Sequence, residues 1–275
     1  MKMIKYNWHT HTKRCGHAIG EDEEYVLSAI DAGIKVLGFS DHAPYKDNID
    51  FKHRMPKELY QDYIDSINKL KVKYKGIIDI YIGLEIENYV DCIDELEYYR
   101  KTLDYCILGQ HGFDFSQEHS YYITNKEGLL KYCELVEEAT LKGLCDYIAH
   151  PDVCLWSYPR IDETVIEVAN RISDIALKYN VPIELNTGSG VRRGEVEYND
   201  GLRYPYPTRA FFEIFAKKGN EIIVGIDAHS PEAFKTDKYL NRALSVLEGL
   251  NCNIVQDYDL ISNAYKRRKE FGYID

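Results

Sequence analysis

The sequence predicts an α/β fold, a closed barrel of parallel β-α units. Three observations carry this reading. Seven short strand-like runs recur along the 275 residues. Segments with helical periodicity separate them, as parallel β-α units require. The spacing is fairly even and no Pro/Gly/Ser-rich linker interrupts it. One barrel domain over residues 1–275 is therefore expected, rather than an open sheet with two domains.

The strand runs are "IKYNW", "VLGFS", "DIYIGLE", "DYCILGQ", "DYIAH", "VPIEL" and "EIIVGID". After the first, "EDEEYVLSAIDAG" opens acidic and stops at Gly33, a helix with both end signals. After the second, "PKELYQDYIDSINKLKVKYKG" starts with Pro56 near the first helical position and sets Leu59, Tyr63, Ile67 and Leu70 on one stripe. "KEGLLKYCELVEEATLKG", "DETVIEVANRISDIALKYN" and "PTRAFFEIFAKKG" repeat the pattern. The tail adds "NRALSVLEGL" and "LISNAYKRRKEFG", with "CNIV" as a short strand between them.

Hydrophobic residues make up 45% and charged residues 29%, a soluble balance. No apolar run approaches the roughly 20 residues of a membrane span. The N-terminus turns polar too soon for a signal peptide. A cytoplasmic protein without membrane partners is expected. Seven cysteines with no C-x-x-C pair argue against a disulfide framework or a cysteine zinc site. The net charge of −11 gives no general attraction to nucleic acid.

The chemistry lies where the strands end. The first run leads into "NWHTHTKRCGHA", which holds three of the nine histidines. The second ends in Asp41 and His42, the third in Glu85 and Glu87, and the fourth in His111. The fifth ends in His150 and Asp152, and the seventh in Asp227 and His229. In parallel barrels the C-terminal strand ends build the active site, so six of the seven runs aim His, Asp or Glu at one mouth. Residues i and i+2 share a strand face, which lets His9 and His11 face inward together, as do Asp227 and His229. Gly83, Gly109 and Gly225 each lie two residues before Glu85, His111 and Asp227, and are expected to leave room for an ion.

Imidazole and carboxylate ligands suit zinc, iron or manganese. The set His9, His11, His17, His42, Glu85, His111, His150, Asp227 and His229 is too large for one ion. Two to three divalent ions are expected, with Glu85 or Asp227 bridging. Asp41 and Asp152 are expected to support ligand histidines rather than to ligate. His53, His119 and Cys15 fall outside the ligand pattern.

Together, "HTHTKRCGHA", "GFSDHAP", "GLEIE", "LGQHGF", "IAHPD" and "GIDAHS" resemble the polymerase and histidinol phosphatase family, and within it the histidinol-phosphatase branch. The resemblance implies a distorted TIM-like (β/α)7 barrel with a trinuclear centre. His9 and His11 would hold one ion with Glu85 and Asp227. His17, His42 and His229 would hold the second. Glu85, His111 and His150 would complete the third, with Glu85 bridging. It also implies a phosphomonoesterase acting on L-histidinol phosphate in histidine biosynthesis. A group near the centre such as Asp227 or His229 could protonate the leaving alcohol, and the sequence does not identify which.

A phosphate dianion needs cations beyond the metals. Arg160, Arg192 and Arg193 are the expected substrate-binding residues, because a guanidinium can bind two phosphate oxygens at once. Lys13, Arg14 and Arg54 are further candidates, and Phe113, Phe115 and Trp156 could pack on a ring of the substrate. Two rival readings share the framework. A phosphodiesterase or nuclease would want a longer basic channel, which the net charge disfavours. A non-enzymatic metal-binding scaffold should lack ligands, and none is missing here.

Overall fold

The computed structural model describes residues 4–46, 53–114 and 119–275; the Phe115 expectation falls outside them. Eight strands form one parallel sheet: β1 (Tyr6–Asn7), β2 (Val36–His42), β3 (Asp79–Ile86), β4 (Tyr105–Leu108), β5 (Tyr147–Ile148), β6 (Ile183–Asn186), β9 (Glu221–Gly225) and β10 (Asn253–Ile254). They lie in the order β1-β2-β3-β4-β5-β6-β9-β10. A two-stranded hairpin, β7 (Val196–Tyr198) with β8 (Gly201–Arg203), stands apart in the long connection after β6.

β1–β6 and β9 are the seven predicted runs. At their C-terminal ends they close into a ring. Thr10, past β1, bridges Ala228, past β9. His11 N–H donates to Ala228 O at 2.9 Å, and Ala228 N–H donates to His9 O at 3.1 Å. At the other end the ring is splayed. There β10, the "CNIV" run, pairs with the start of β9, and the Tyr6 hydroxyl donates to Val255 O beyond it. The barrel is distorted because an eighth strand enters at the bottom while seven close the top.

The helices cover the outside and bury one stripe each. α1 (Asp22–Asp31) starts at a capping box between Glu21 and Glu24. α5 (Glu163–Lys178) is capped by Asp162 and buries Val165, Val168, Ala169, Ile172 and Ala176. α4 (Lys126–Leu141) is capped by Asn125 and packs against α5. α2 (Tyr60–Lys73) buries Tyr63, Ile67 and Leu70 as expected. Leu59 does not join them. It closes a 3-10 turn that begins after Pro56 and is 39% exposed.

Besides the β7–β8 hairpin, two helices were not foreseen. α3 (Ile93–Thr102) fills the β3–β4 connection. The Gly-rich stretch after β6 forms a short helix, α6 (Ser189–Arg193), before the hairpin. α7 (Arg209–Lys218), α8 (Lys238–Val246) and α9 (Leu260–Glu270) complete the chain.

Tyr105 plugs the barrel below the mouth. It is fully buried, and its hydroxyl donates to Trp8 O at 2.8 Å and Phe39 O at 3.0 Å. Its ring fills the space beside Gly83, where an added Cβ would stand 2.6 Å from the ring. This corrects the expectation that Gly83 leaves room for an ion: it leaves room for Tyr105. Gly83→Ala is therefore expected to cost about 1–3 kcal/mol through overpacking, read as a lower denaturant midpoint. An unchanged midpoint would show that Tyr105 moves aside freely.

Candidate metal centre

The parallel register sets the site. His42 and Glu85 are direct partners across β2 and β3. His9 and His11 follow β1, His111 follows β4, His150 follows β5, and Asp227 and His229 follow β9. All nine sequence-predicted ligands converge on this one end.

Glu85 stands at the centre. One of its oxygens lies 2.7 Å from His150 Nε2 and 3.6 Å from His111 Nε2. The other lies 3.1 Å from His42 Nδ1, 3.4 Å from His11 Nε2 and 3.5 Å from His9 Nε2. Asp227 Oδ1 lies 3.2 Å from both His11 Nε2 and His229 Nδ1, and 3.7 Å from His9 Nε2. His17 Nε2 and His229 Nε2 are 3.0 Å apart.

The donor set fits bound cations. His9 Nε2, both ring nitrogens of His11, His42 Nδ1, His150 Nδ1 and Glu85 Oε2 are buried without a hydrogen-bond partner. Native proteins rarely leave so many buried polar atoms unsatisfied. The groups His9–His11–Asp227, His17–His42–His229 and His9–Glu85–His150 each bring their ligand atoms within 4.8 Å of one another. His11–His42–Glu85 is a further such group, so Glu85 and several histidines each belong to more than one, an arrangement that could hold more than one ion.

The electrostatics agree. Burial opposes charge on Glu85, but His111, His9 and His42 hold its carboxyl well below the usual range. Asp227 is likewise buried, and His9, His229 and His11 hold it well below its usual range. Burial drives the His42 ring well below its ordinary value, and burial with His229 and His11 takes His17 down to about 4. Those rings are neutral, the form that binds a metal. Burial disfavours charge on His9 too, but Glu184, Asp227 and Glu85 push it up to about 10. Against burial, the neighbouring carboxylates raise His11 and His150 as well, so this end of the barrel favours positive charge.

The supporting shell differs from expectation. Asp41 does lie behind a candidate ligand, 3.5 Å from His11 Nδ1, and it accepts from Thr12. Asp152 does not support His150; it accepts from the backbone and hydroxyl of Thr208. The carboxylate that accepts from the His150 backbone is Glu184, which sequence reasoning missed. Glu87 takes a bidentate pair from Arg54 and bonds His111 Nδ1 at 3.1 Å, so it orients that ring toward Glu85. The glycines are also reassigned. A Cβ on Gly109 would collide with Glu85, and one on Gly225 with Glu184, so both make room for carboxylates.

A cavity of about 430 Å³ opens above this cluster, lined by His17, His42, His53, Arg54, Glu85, His111, His119, Tyr121, Tyr122, His150, Ser189, Arg192, Asp227 and His229. His53 and His119, outside the ligand pattern, thus border the mouth. Of the predicted substrate arginines, Arg192 lines it. Arg160 is exposed and lines no part of it. Arg193, also exposed, lies over the Trp156 ring. Lys13 pairs with Glu21 at the surface, and the buried Arg14 pairs with Asp22 and Asp62; neither lines the cavity. Phe113 carries Lys131 over its ring in a neighbouring hollow, and Trp156 packs on Tyr121 and Tyr206.

Comparison with known proteins identifies this architecture. The PHP domain matches residues 7–188. The chain belongs to the PHP domain family. Among curated members, it is 30% identical over 234 residues to a protein of Deinococcus radiodurans named "Probable histidinol-phosphatase", spanning 81% of this chain and 85% of that one. A Schizosaccharomyces pombe protein of the same name is 24% identical over 266 residues, 86% of this chain and 84% of its own. The PHP barrel superposes with a TM-score of 0.69 on the histidinol phosphate phosphatase of Lactococcus lactis, solved with zinc, L-histidinol and phosphate. That protein is 16% identical, with 94% of this chain and 97% of the other covered.

Proposed function

We propose that this protein is a metal-dependent phosphomonoesterase that hydrolyses L-histidinol phosphate to L-histidinol and inorganic phosphate. The observation that carries the chemistry is the convergence of seven histidines on Glu85 and Asp227 with buried, unpartnered ligand atoms. The substrate rests on the PHP relatives named for that activity. The single barrel domain over 1–275 would hold two to three zinc, iron or manganese ions. His9 and His11 with Glu85 and Asp227, His17 with His42 and His229, and Glu85 with His111 and His150 are the proposed sets. All seven cysteines are unpaired, which suits the reducing cytoplasm. Among the described residues no helix is long and apolar enough to cross a membrane.

Divalent ions at this site supply Lewis acidity and neutralise charge on a phosphoryl group. The chain's own residues do the rest. Glu87 and Glu184 hold ligand rings in place. Arg192 is anchored by Nη2, which donates to Ile226 O at 3.1 Å and Asp227 O at 3.2 Å. That anchoring fixes its guanidinium at the mouth, where it can take a phosphate oxygen. Of the two candidate proton donors to the leaving alcohol, His229 is the more open to the cavity, while Asp227 is buried with its carboxyl held well below its usual range.

Arg192→Ala is expected to lower kcat/KM about ten- to a hundred-fold, the loss of a charge-assisted contact worth roughly 1.5–3 kcal/mol. Metal content should stay the same. Arg160→Ala and Arg193→Ala should remain near wild type, since neither lines the cavity. A phosphate-release assay on the three variants checks this, and wild-type kinetics for Arg192→Ala would remove it from the substrate site.

A further inference from the structure

We propose that Glu184 is the positioning residue of the metal centre, a single carboxylate that sets ligands from three different strands. β6 is the one predicted strand run with no ligand candidate at its end. It nevertheless places Glu184, which is fully buried, beneath the site. His9 Nδ1–H donates to Glu184 Oε1 at 2.8 Å. That bond puts the proton on Nδ1 and leaves Nε2 toward Glu85 and Asp227. The His150 backbone N–H donates to Glu184 Oε2 at 2.9 Å. His150 has φ +25°, a strained value for a residue with a side chain. Glu184 therefore helps hold the turn that aims the His150 ring at Glu85.

The third link runs through Asn186, two residues along the same strand face. Its Nδ2 donates to Glu184 Oε2 at 2.8 Å and lies 3.4 Å from Asp227 Oδ2. Asp227 also has a left-handed backbone, φ +53°. Glu184 thus reaches a histidine after β1, a histidine after β5 and, through Asn186, an aspartate after β9. Gly225 completes the arrangement, because a Cβ there would collide with Glu184 Oε1. The chain keeps a bare backbone on β9 where this carboxylate passes.

Glu184→Gln keeps the shape and removes the charge, so it should weaken metal binding about ten- to a hundred-fold, the usual effect of losing the partner of a ligating histidine. Gly225→Ala, which displaces the carboxylate without altering it, should weaken binding in the same direction. The measurement is chelator competition on zinc-loaded protein, paired with imidazole nitrogen NMR of His9. Wild type should show His9 protonated on Nδ1, and Glu184→Gln should lose that pattern. A merely structural role would lower the thermal midpoint but leave affinity and the His9 pattern unchanged, and that result overturns the inference. If Glu184→Gln does not fold, Gly225→Ala decides the question by the same two readings. The inference rests on the metal-centre reading. Wild-type protein that holds no metal would defeat that reading, whereas tight binding by both wild type and variants defeats this inference alone.

Discussion

Glu85→Gln should fold but hydrolyse substrate at least about a thousand-fold more slowly than wild type, with fewer metal ions per chain. Five imidazole rings approach the two oxygens of this one carboxylate, within 2.7–3.6 Å. Glutamine preserves the volume, so the packing around Gly109 survives. It cannot bridge two cations, and its amide group places N–H donors against ring nitrogens that need a cation. Loss of a bridging ligand should empty more than one site, unlike loss of a terminal histidine. Metal-ion stabilisation of a phosphoryl transition state is worth several kcal/mol, and about 4 kcal/mol corresponds to the thousand-fold loss. Elemental analysis and kcat on the same preparation test both halves. A variant with the wild-type metal count, or one with wild-type turnover, would remove Glu85 from the centre. Chelator treatment of wild type should give the same loss, restored by adding zinc or manganese.

The convergence of the candidate ligands could be read from the sequence because parallel strands deliver their C-terminal ends to one place. His9-x-His11 and Asp227-x-His229 show on a strand face without any knowledge of the loops. Glu184 did not show, because nothing in "VPIEL" distinguishes an acid that supports ligands from one at a strand edge; only the neighbouring strands reveal it. The glycines showed that space was needed but not what fills it: Tyr105 from β4, Glu85 itself, and Glu184. α3 was hidden because it buries only Leu96, Tyr99 and Arg100 in ten residues, too thin a stripe to stand out. Two of the three expected substrate arginines lie off the mouth for a related reason. Arg192 and Arg193 are adjacent, but on α6 neighbouring residues diverge by about 100°. One reaches the mouth while the other covers Trp156. Arg160 lies in a connection whose direction its spacing could not reveal.

Phosphate release from L-histidinol phosphate should exceed that from sugar phosphates and p-nitrophenyl phosphate by at least about 100-fold in kcat/KM. The metal cluster alone supports only phosphate-ester hydrolysis, and fold likeness cannot choose the ester. The mouth adds chemistry of its own. Arg192 would supply a cation for the phosphate, while Arg54, its neighbour in the lining, is already paired with Glu87. Tyr121, Tyr122, His53 and His119 give the cavity an aromatic rim; Tyr121 stacks on His119 with ring centroids 4.7 Å apart. A substrate with an imidazole ring and an amine beside its phosphate matches such a rim better than a polyanion does. The chain's net charge of −11 also opposes a nucleic acid backbone. Where a site pairs buried polar groups with an amine and a ring, analogues lacking them leave those groups unpaired and lose orders of magnitude. Bis-p-nitrophenyl phosphate and oligonucleotides should therefore be the poorest substrates of a panel assayed on one metal-loaded preparation. If a diester or a sugar phosphate instead matches L-histidinol phosphate, hydrolysis at the Glu85 centre stands, and the selection of an imidazole-bearing substrate at this rim does not.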